Sequence, residues 1–263
     1  MLTMRAFGAA AALSTAAIAT PATATDFDFV FSGNSGVAGS SGAMDFAATS
    51  SGQRVDVRAS AWSMKYSMSA GGYVISAANI GNYADGLGVT APSENGGSGT
   101  HTIDNAGTNK YDFLLLQFSA PVKLTQIVTT AFRITTDLTS YYNSGDSDAT
   151  VGYGTTTNAW NNTLNYDGKN WSVLSSALTR IAVYDSASGG TVSGGAASNM
   201  WMVSAMLNNP DGRIDSFKLG GLSATTVGGA VPEPATWLTM ILGFGVVGAA
   251  LRRRRGGRTI AAA

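Results

Sequence analysis

The 263-residue chain has no cysteine, a single histidine (His101), six prolines and only 12% charged residues. Each shortage removes a class of chemistry. Without cysteine there is no disulfide framework, no thiolate metal site and no thiol nucleophile. With one histidine, a transition-metal centre loses its customary nitrogen ligands. Low charge combined with 44% apolar residues excludes a disordered acidic or basic chain. The formal net charge is zero, but six of the sixteen basic residues sit near the ends: Arg5, Arg252, Arg253, Arg254, Arg255 and Arg258. Between positions 25 and 231, ten Lys or Arg stand against fifteen Asp or Glu, so this body is mildly acidic and presents no electrostatic case for nucleic acid.

What is abundant instead is Gly, Ser, Thr and Asn, a composition that suits short strands joined by turns. Strand signals run over Phe27 to Phe31, Ala43 to Ala47, Arg54 to Ala59, Tyr73 to Asn79, Tyr111 to Phe118, Lys123 to Thr129, Ala149 to Gly154, Arg180 to Tyr184, Asn199 to Met206 and Arg213 to Leu219. Val55-Asp56-Val57-Arg58-Ala59 alternates as a half-buried strand does, whereas Phe113 to Phe118 is continuously apolar and reads as a central strand covered on both faces. One short helix is expected around Trp171 to Ala177. With no fixed repeat and no dividing linker, residues 25–227 are expected to form one all-β domain, a jelly-roll-like β-sandwich, with a barrel or β-helix as the alternative.

The two ends carry different signals. Arg5 precedes an apolar run from Ala6 to about Ala19, and small residues lead to Ala22-Thr23-Ala24, the pattern of a signal peptide over residues 1–24 cleaved after Ala24. Near the other end, Pro232-Glu233-Pro234 is a stretch no helix can run through. The uncharged run from Trp237 to Leu251 follows, then Arg252 to Arg255. Fifteen helical residues reach only ~22 Å against a hydrocarbon core of about 30 Å, so the expected span over 237–251 is short. Clustered arginines stay on the cytoplasmic side, which places the body outside, as a signal peptide also demands.

Pro232, Glu233, Pro234 and Trp237, the glycine-spaced apolar span and the arginine block together resemble the PEP-CTERM sorting signal, in the variety written PEPxxWA; Leu238 stands where that variety has Ala. The resemblance covers residues 228–263, with the motif at 231–237. It implies a protein held transiently in the inner membrane, processed by the transpeptidase-like enzyme exosortase, and delivered to the cell surface or to an exopolysaccharide and biofilm matrix. Gly86 to Thr90, His101 to Asn105, Tyr111 to Phe118 and Asp146-Ser147-Asp148 resemble ectodomains of other exosortase-dependent proteins, which implies a shared sandwich and no catalytic assignment.

Candidate chemistry in the body is sparse. No G-x-S-x-G elbow nominates a serine to work with His101, which reads more simply as a loop residue making a hydrogen bond. Glu94, Asp104, Asp112, Asp146 and Asp148 could supply the paired carboxylates of a glycosidase, yet aspartates beside Gly, Ser or Asn usually close their own turns. Calcium suits the residue types better: Asp146 and Asp148 behind a glycine, with Asp104 beside Asn105, are hard oxygen donors. Tyr141, Tyr142, Trp160 and Trp171 lie in or near polar, Asn-rich segments and could stack on sugars, while Trp62 and Trp201 read as core. The expectation is a non-enzymatic surface or matrix protein; the alternative is a secreted glycan-active enzyme or a carbohydrate-binding protein.

Overall fold

A computed structural model describes residues 24–33, 42–94, 101–107, 109–132, 146–184, 189–226, 240–248 and 252. Residues 1–23 of the expected signal peptide, Tyr141, Tyr142, the Pro232-Glu233-Pro234 and Trp237 motif, and Arg253 to Arg255 lie outside the described residues.

The protein is all-β. Its strands are β1 (Asp26–Val30), β2 (Ala43–Ser50), β3 (Gln53–Ser67), β4 (Gly72–Ala77), β5 (Asn79–Tyr83), β6 (Gly86–Thr90), β7 (Ile103–Asp104), β8 (Lys110–Ala131) and β9 (Ala149–Gly154). A one-turn helix α1 (Trp171–Ser175) precedes β10 (Thr179–Val183), β11 (Gly190–Thr191), β12 (Ser198–Ala205) and β13 (Ser216–Thr226). These elements form one compact unit, Ala24–Val227. Every strand-to-strand pairing among them is antiparallel, so short turns can make many of the connections. Between β2 and β3 that turn is Ser51-Gly52, both at positive φ, as a tight two-residue hairpin requires.

β8 organises the sheet. Its first half, up to Phe118, pairs with β3 on one side and β12 on the other. Its second half, from Val122, pairs with β13 and with β11. The expected strands over 111–118 and 123–129 are therefore one strand of 22 residues. Pro121 lies in the stretch between the β3 and β13 pairings, where the amide hydrogen it lacks is not needed. The expected strand over Tyr73 to Asn79 is likewise divided. At Ala78 the chain leaves its pairing with β3, and β5 then pairs with β6.

Alternation along β8 serves two cores. Leu114, Leu116 and Phe118 join a large cluster with Val55 and Val57 of β3, Phe27 and Phe29 of β1, Trp201 and Val203 of β12, and Leu219 and Leu222 of β13. Phe113 and Leu115 point the other way, into a second cluster with Trp62, Met64, Ile75, Leu174, Met200 and Met202. The continuously apolar segment is thus covered on both faces, as its sequence indicates. Each large side chain removed from water contributes about 1.5–3 kcal/mol. The indole of Trp201 satisfies its N–H by donating to the carbonyls of Val122 (3.1 Å) and Ser198 (3.0 Å).

Over the second cluster lies the Asn-rich segment 155–170, followed by α1, whose N-cap Asn170 accepts from Ser172 N at 2.9 Å. The fully buried Gln117 of β8 holds this segment in place. Its Nε2 donates to the carbonyls of Asn162 (2.9 Å) and Ala159 (3.3 Å), and its Oε1 accepts from Leu164 N (3.1 Å). Arg58 clasps Asp45 across the β2–β3 pair and also donates to the Asn161 carbonyl. A loop made of polar residues is thereby ordered by side chains that reach out of the sheet.

At the edge of the large cluster, β1 pairs along its whole length with β13, from Asp26↔Thr225 to Val30↔Gly221. Two side-chain bonds reinforce it: Ser223 Oγ donates to Asp28 (2.6 Å) and Thr225 Oγ1 to Asp26 (2.8 Å).

Candidate functional site

The two-residue strand β7 pairs with the start of β13, placing Asp104 opposite Ser216 and Ile103 opposite Phe217. Asn105 consequently lies against Asp215, and a parallel bridge brings Asp146 to the other flank of Asp215. Ser216 N completes that bridge by donating to the Asp146 carbonyl at 2.9 Å. This local register collects carboxylates from distant parts of the chain into two groups.

The first group is Asp146, Asp148 and Asp215, one oxygen from each lying within 4.8 Å of the others. Asp215 is fully buried. Asn105 fixes it reciprocally: Asn105 Nδ2 donates to Asp215 Oδ2 (2.5 Å), and Asp215 N donates to Asn105 Oδ1 (3.0 Å). Oδ1 of Asp215 has no hydrogen-bond partner among the described residues. Asp148 N donates to Asp146 Oδ1 at 3.4 Å, an aspartate turn. Burial, and then the charges of Asp146, Asp148 and Asp211, push the Asp215 carboxyl up to about 8. Burial and Asp148 also raise Asp146.

The second group is Glu94, Asp104 and Asp112, again with one oxygen from each within 4.8 Å of the others. Lys110 lies among them. Its ammonium pairs with Glu94 and stands 3.6 Å from Asp112 Oδ2 and 3.9 Å from Asp104 Oδ1. Asp104 also accepts from Thr102 Oγ1 (2.9 Å) and from Ala106 N (3.0 Å). Burial raises Asp104 to about 6 against the pull of Lys110. Burial, with Asp104 next, lifts Asp112 well above the usual carboxylate range. For Lys110, burial lowers its proton affinity, and Asp112, Asp104 and Glu94 more than reverse that, leaving it above the ordinary lysine value. Asp104 and Asp112 are both buried, a single ammonium stands among the three carboxyl groups, and neither oxygen of Asp112 has a hydrogen-bond partner among the described residues.

The sequence set of Asp104, Asp146 and Asp148 is thus divided: the two loop aspartates meet Asp215, and Asp104 belongs with Glu94 and Asp112. Sequence reasoning passed over Asp215 and Lys110. Asp215 follows Pro210-Asp211-Gly212, so it reads as one more turn aspartate, and only the strand register brings it to Asp146.

The remaining candidates have defined places. His101 stacks on Tyr83 (5.3 Å between ring centroids), and its Nδ1 lies 3.2 Å from Thr90 Oγ1. Burial, with Lys218 second, lowers its proton affinity. Lys218 itself sits over the rings of Phe132 (3.9 Å) and Tyr83 (4.5 Å). Trp171 is half-buried, edge-on to Phe113 at 5.8 Å, and Trp160 is half-buried in the Asn-rich segment. Trp62 and Trp201 are in the cores.

Beyond the β unit, residues 240–248 are helical, with Met240, Ile241, Leu242, Phe244, Val246 and Val247 exposed. Among the described residues no helix is long and apolar enough to cross a membrane. A family model described as the PEP-CTERM protein-sorting motif matches residues 230–255. No curated protein and no solved structure matches the chain.

Proposed function

Because this chain is a PEP-CTERM protein, an exosortase substrate exported for sorting to the cell surface, we propose that it is a non-enzymatic component of the surface or extracellular matrix, associated with exopolysaccharide in a biofilm. The single observation that carries this reading is the match of the sorting motif over 230–255. In this reading the tail holds the chain in the inner membrane through residues 237–251, with Arg252 to Arg255 on the cytoplasmic side, until exosortase releases it. The exposed apolar side chains between Met240 and Val247 support an anchoring role, since a lipid bilayer would cover them. The body is then the delivered part, a jelly-roll-like β-sandwich whose layers are the two halves of the sheet joined through β8. The large apolar cluster between residues of both halves supports that description.

A non-enzymatic role is supported by the state of the carboxylates a glycosidase would need. Asp104 and Asp112 are 1% and 0% exposed, and Lys110 already stands between them. Such enzymes keep an acid and a base on either side of a sugar ring, in a cleft that admits it.

Cell fractionation with and without exosortase, followed by a polysaccharide pull-down, tests the proposal. With exosortase, the protein is expected to leave the inner membrane in a shortened form that co-sediments with exopolysaccharide. Full-length protein retained in the inner membrane of both strains overturns the anchoring and release. Glycan hydrolysis abolished by Asp104→Asn overturns the non-enzymatic role.

A further inference from the structure

From the convergence of Asp146, Asp148 and Asp215, the last of them buried with one carboxylate oxygen unsatisfied, we infer that these three residues form a calcium site that ties the segment entering β9 to the segment entering β13. The inference is independent of what the delivered protein contacts.

The geometry is that of a shared cation. Calcium takes oxygen ligands at about 2.3–2.6 Å, so two oxygens held by one ion lie up to about 5 Å apart. One oxygen from each of the three aspartates lies within 4.8 Å of the others, inside that limit. The group is also built from within. Asp215 is 0% exposed, and both of its hydrogen bonds to the Asn105 side chain leave Oδ1 without a partner among the described residues. A buried carboxylate oxygen left unpaired costs several kilocalories per mole of lost solvation, and a directly bound cation removes that cost.

The second carboxylate group provides an internal comparison. There, three carboxyl groups that also come within 4.8 Å of one another have the Lys110 ammonium beside them, so that group carries a cation of its own, while both Asp112 oxygens lack a hydrogen-bond partner among the described residues. Around Asp146 and Asp215, no lysine or arginine forms an ion pair among the described residues. Arg213 lies 3.8 Å from Asp211 and is exposed. Asp146 and Asp148 are only partly buried, so an ion can enter from solvent on their side.

An all-oxygen donor set of carboxylates suits a hard cation and excludes ions that prefer sulfur or nitrogen. Calcium is favoured over magnesium, because Asp215 offers its oxygen deep in the protein and magnesium prefers to keep several of its waters. Extracellular calcium sites work at dissociation constants of about 10⁻⁴–10⁻³ M, and this is an exported protein.

The test uses the full-length chain, purified in detergent and freed of metal with chelator. It combines calorimetric titration with calcium chloride and thermal unfolding with and without the ion. One calcium per chain is expected, with Tm raised by about 5–10 °C once calcium is about a hundredfold above its dissociation constant. Asp215→Asn keeps an acceptor for Asn105 and removes the ionisable carboxyl that would bind the cation. It is expected to stay folded by circular dichroism and to lose at least about tenfold in calcium affinity together with the Tm shift. Glu94→Gln, in the lysine-neutralised group, is expected to retain both. The inference is overturned by the absence of binding heat and Tm shift in the wild-type chain. It is equally overturned by an undiminished calcium response in folded Asp215→Asn, or by an equal response to magnesium at the same concentration.

Discussion

Asp215 and Asp104 each keep a proton in the folded protein at pH values where the unfolded chain has lost it. Burial and neighbouring carboxylates raise Asp215 to about 8, and burial raises Asp104 to about 6, from an ordinary value of 3.8. The folded state therefore binds more protons than the unfolded state between about pH 4 and pH 8, and stability falls as pH rises through that window. The slope is about 1.4 kcal/mol per pH unit for each full proton of difference. Urea unfolding of the chain in chelator, at intervals from pH 4.5 to 8.5, is expected to show this decline. Asp215→Asn should flatten its upper part, between about pH 6 and 8. A stability that rises steadily over the range would contradict the burial of these carboxyls. Of the residues involved, the sequence names Asp104 for its donor chemistry and leaves Asp215 among the turn residues. Residue type is local information, whereas what makes Asp215 unusual is its burial, followed by the charges of Asp146, Asp148 and Asp211, and burial is a property of the fold.

At the scale of elements, periodicity carried the reading where a strand has one wet face and where it has none. β1 shows the strict alternation of burial that its Asp-Phe-Asp-Phe-Val pattern announces. β8 was legible as doubly covered from Phe113 to Phe118, yet its continuation past Pro121 was not. A proline between two apolar runs looks like a break, and only the change of partners from β3 to β13 shows why it is tolerated. β6 escaped notice because Gly86-Leu87-Gly88-Val89-Thr90 is glycine-rich; at Gly88 a side chain would drive into the His101 carbonyl. The burial patterns give a direct comparison. In β8, Leu114→Ala and Leu115→Ala point to opposite faces, and each is expected to cost about 2–5 kcal/mol because both faces are filled. In β1, Phe27→Ala should cost about 3–5 kcal/mol, while the neighbouring Asp28→Ala stays within about 1 kcal/mol. Chemical denaturation of the four variants measures this. A near-neutral Leu115→Ala would show that the second cluster is loosely packed.

For the molecule as a whole, composition announced an all-β body and a processed tail, and it was silent on connectivity. Which strands pair is decided by contacts between residues up to about two hundred positions apart, and no local pattern encodes them. The clearest case is β13. It supplies the partner of β1, the partner of β7 and one side of the second half of β8. A variant ending before Ser216 is expected to be cleaved rapidly in limited proteolysis and to lack near-ultraviolet circular dichroism, whereas the full chain resists. Resistance of the shortened chain would show that the first twelve strands are a sufficient folding unit.

The pairing of β1 with β13 also bears on how the protein reaches its destination. A polypeptide threaded outward from its N-terminus presents β1 to the far side first and β13 last, separated by the passage of nearly the entire body. Until then β1 has no strand to zip against. The sheet can therefore close only when translocation of the body is essentially complete, and the interval of exposure is set by the translocation machinery. A tail that detains the chain at the membrane just after β13 emerges would give this last strand time to find the first before the protein is let go.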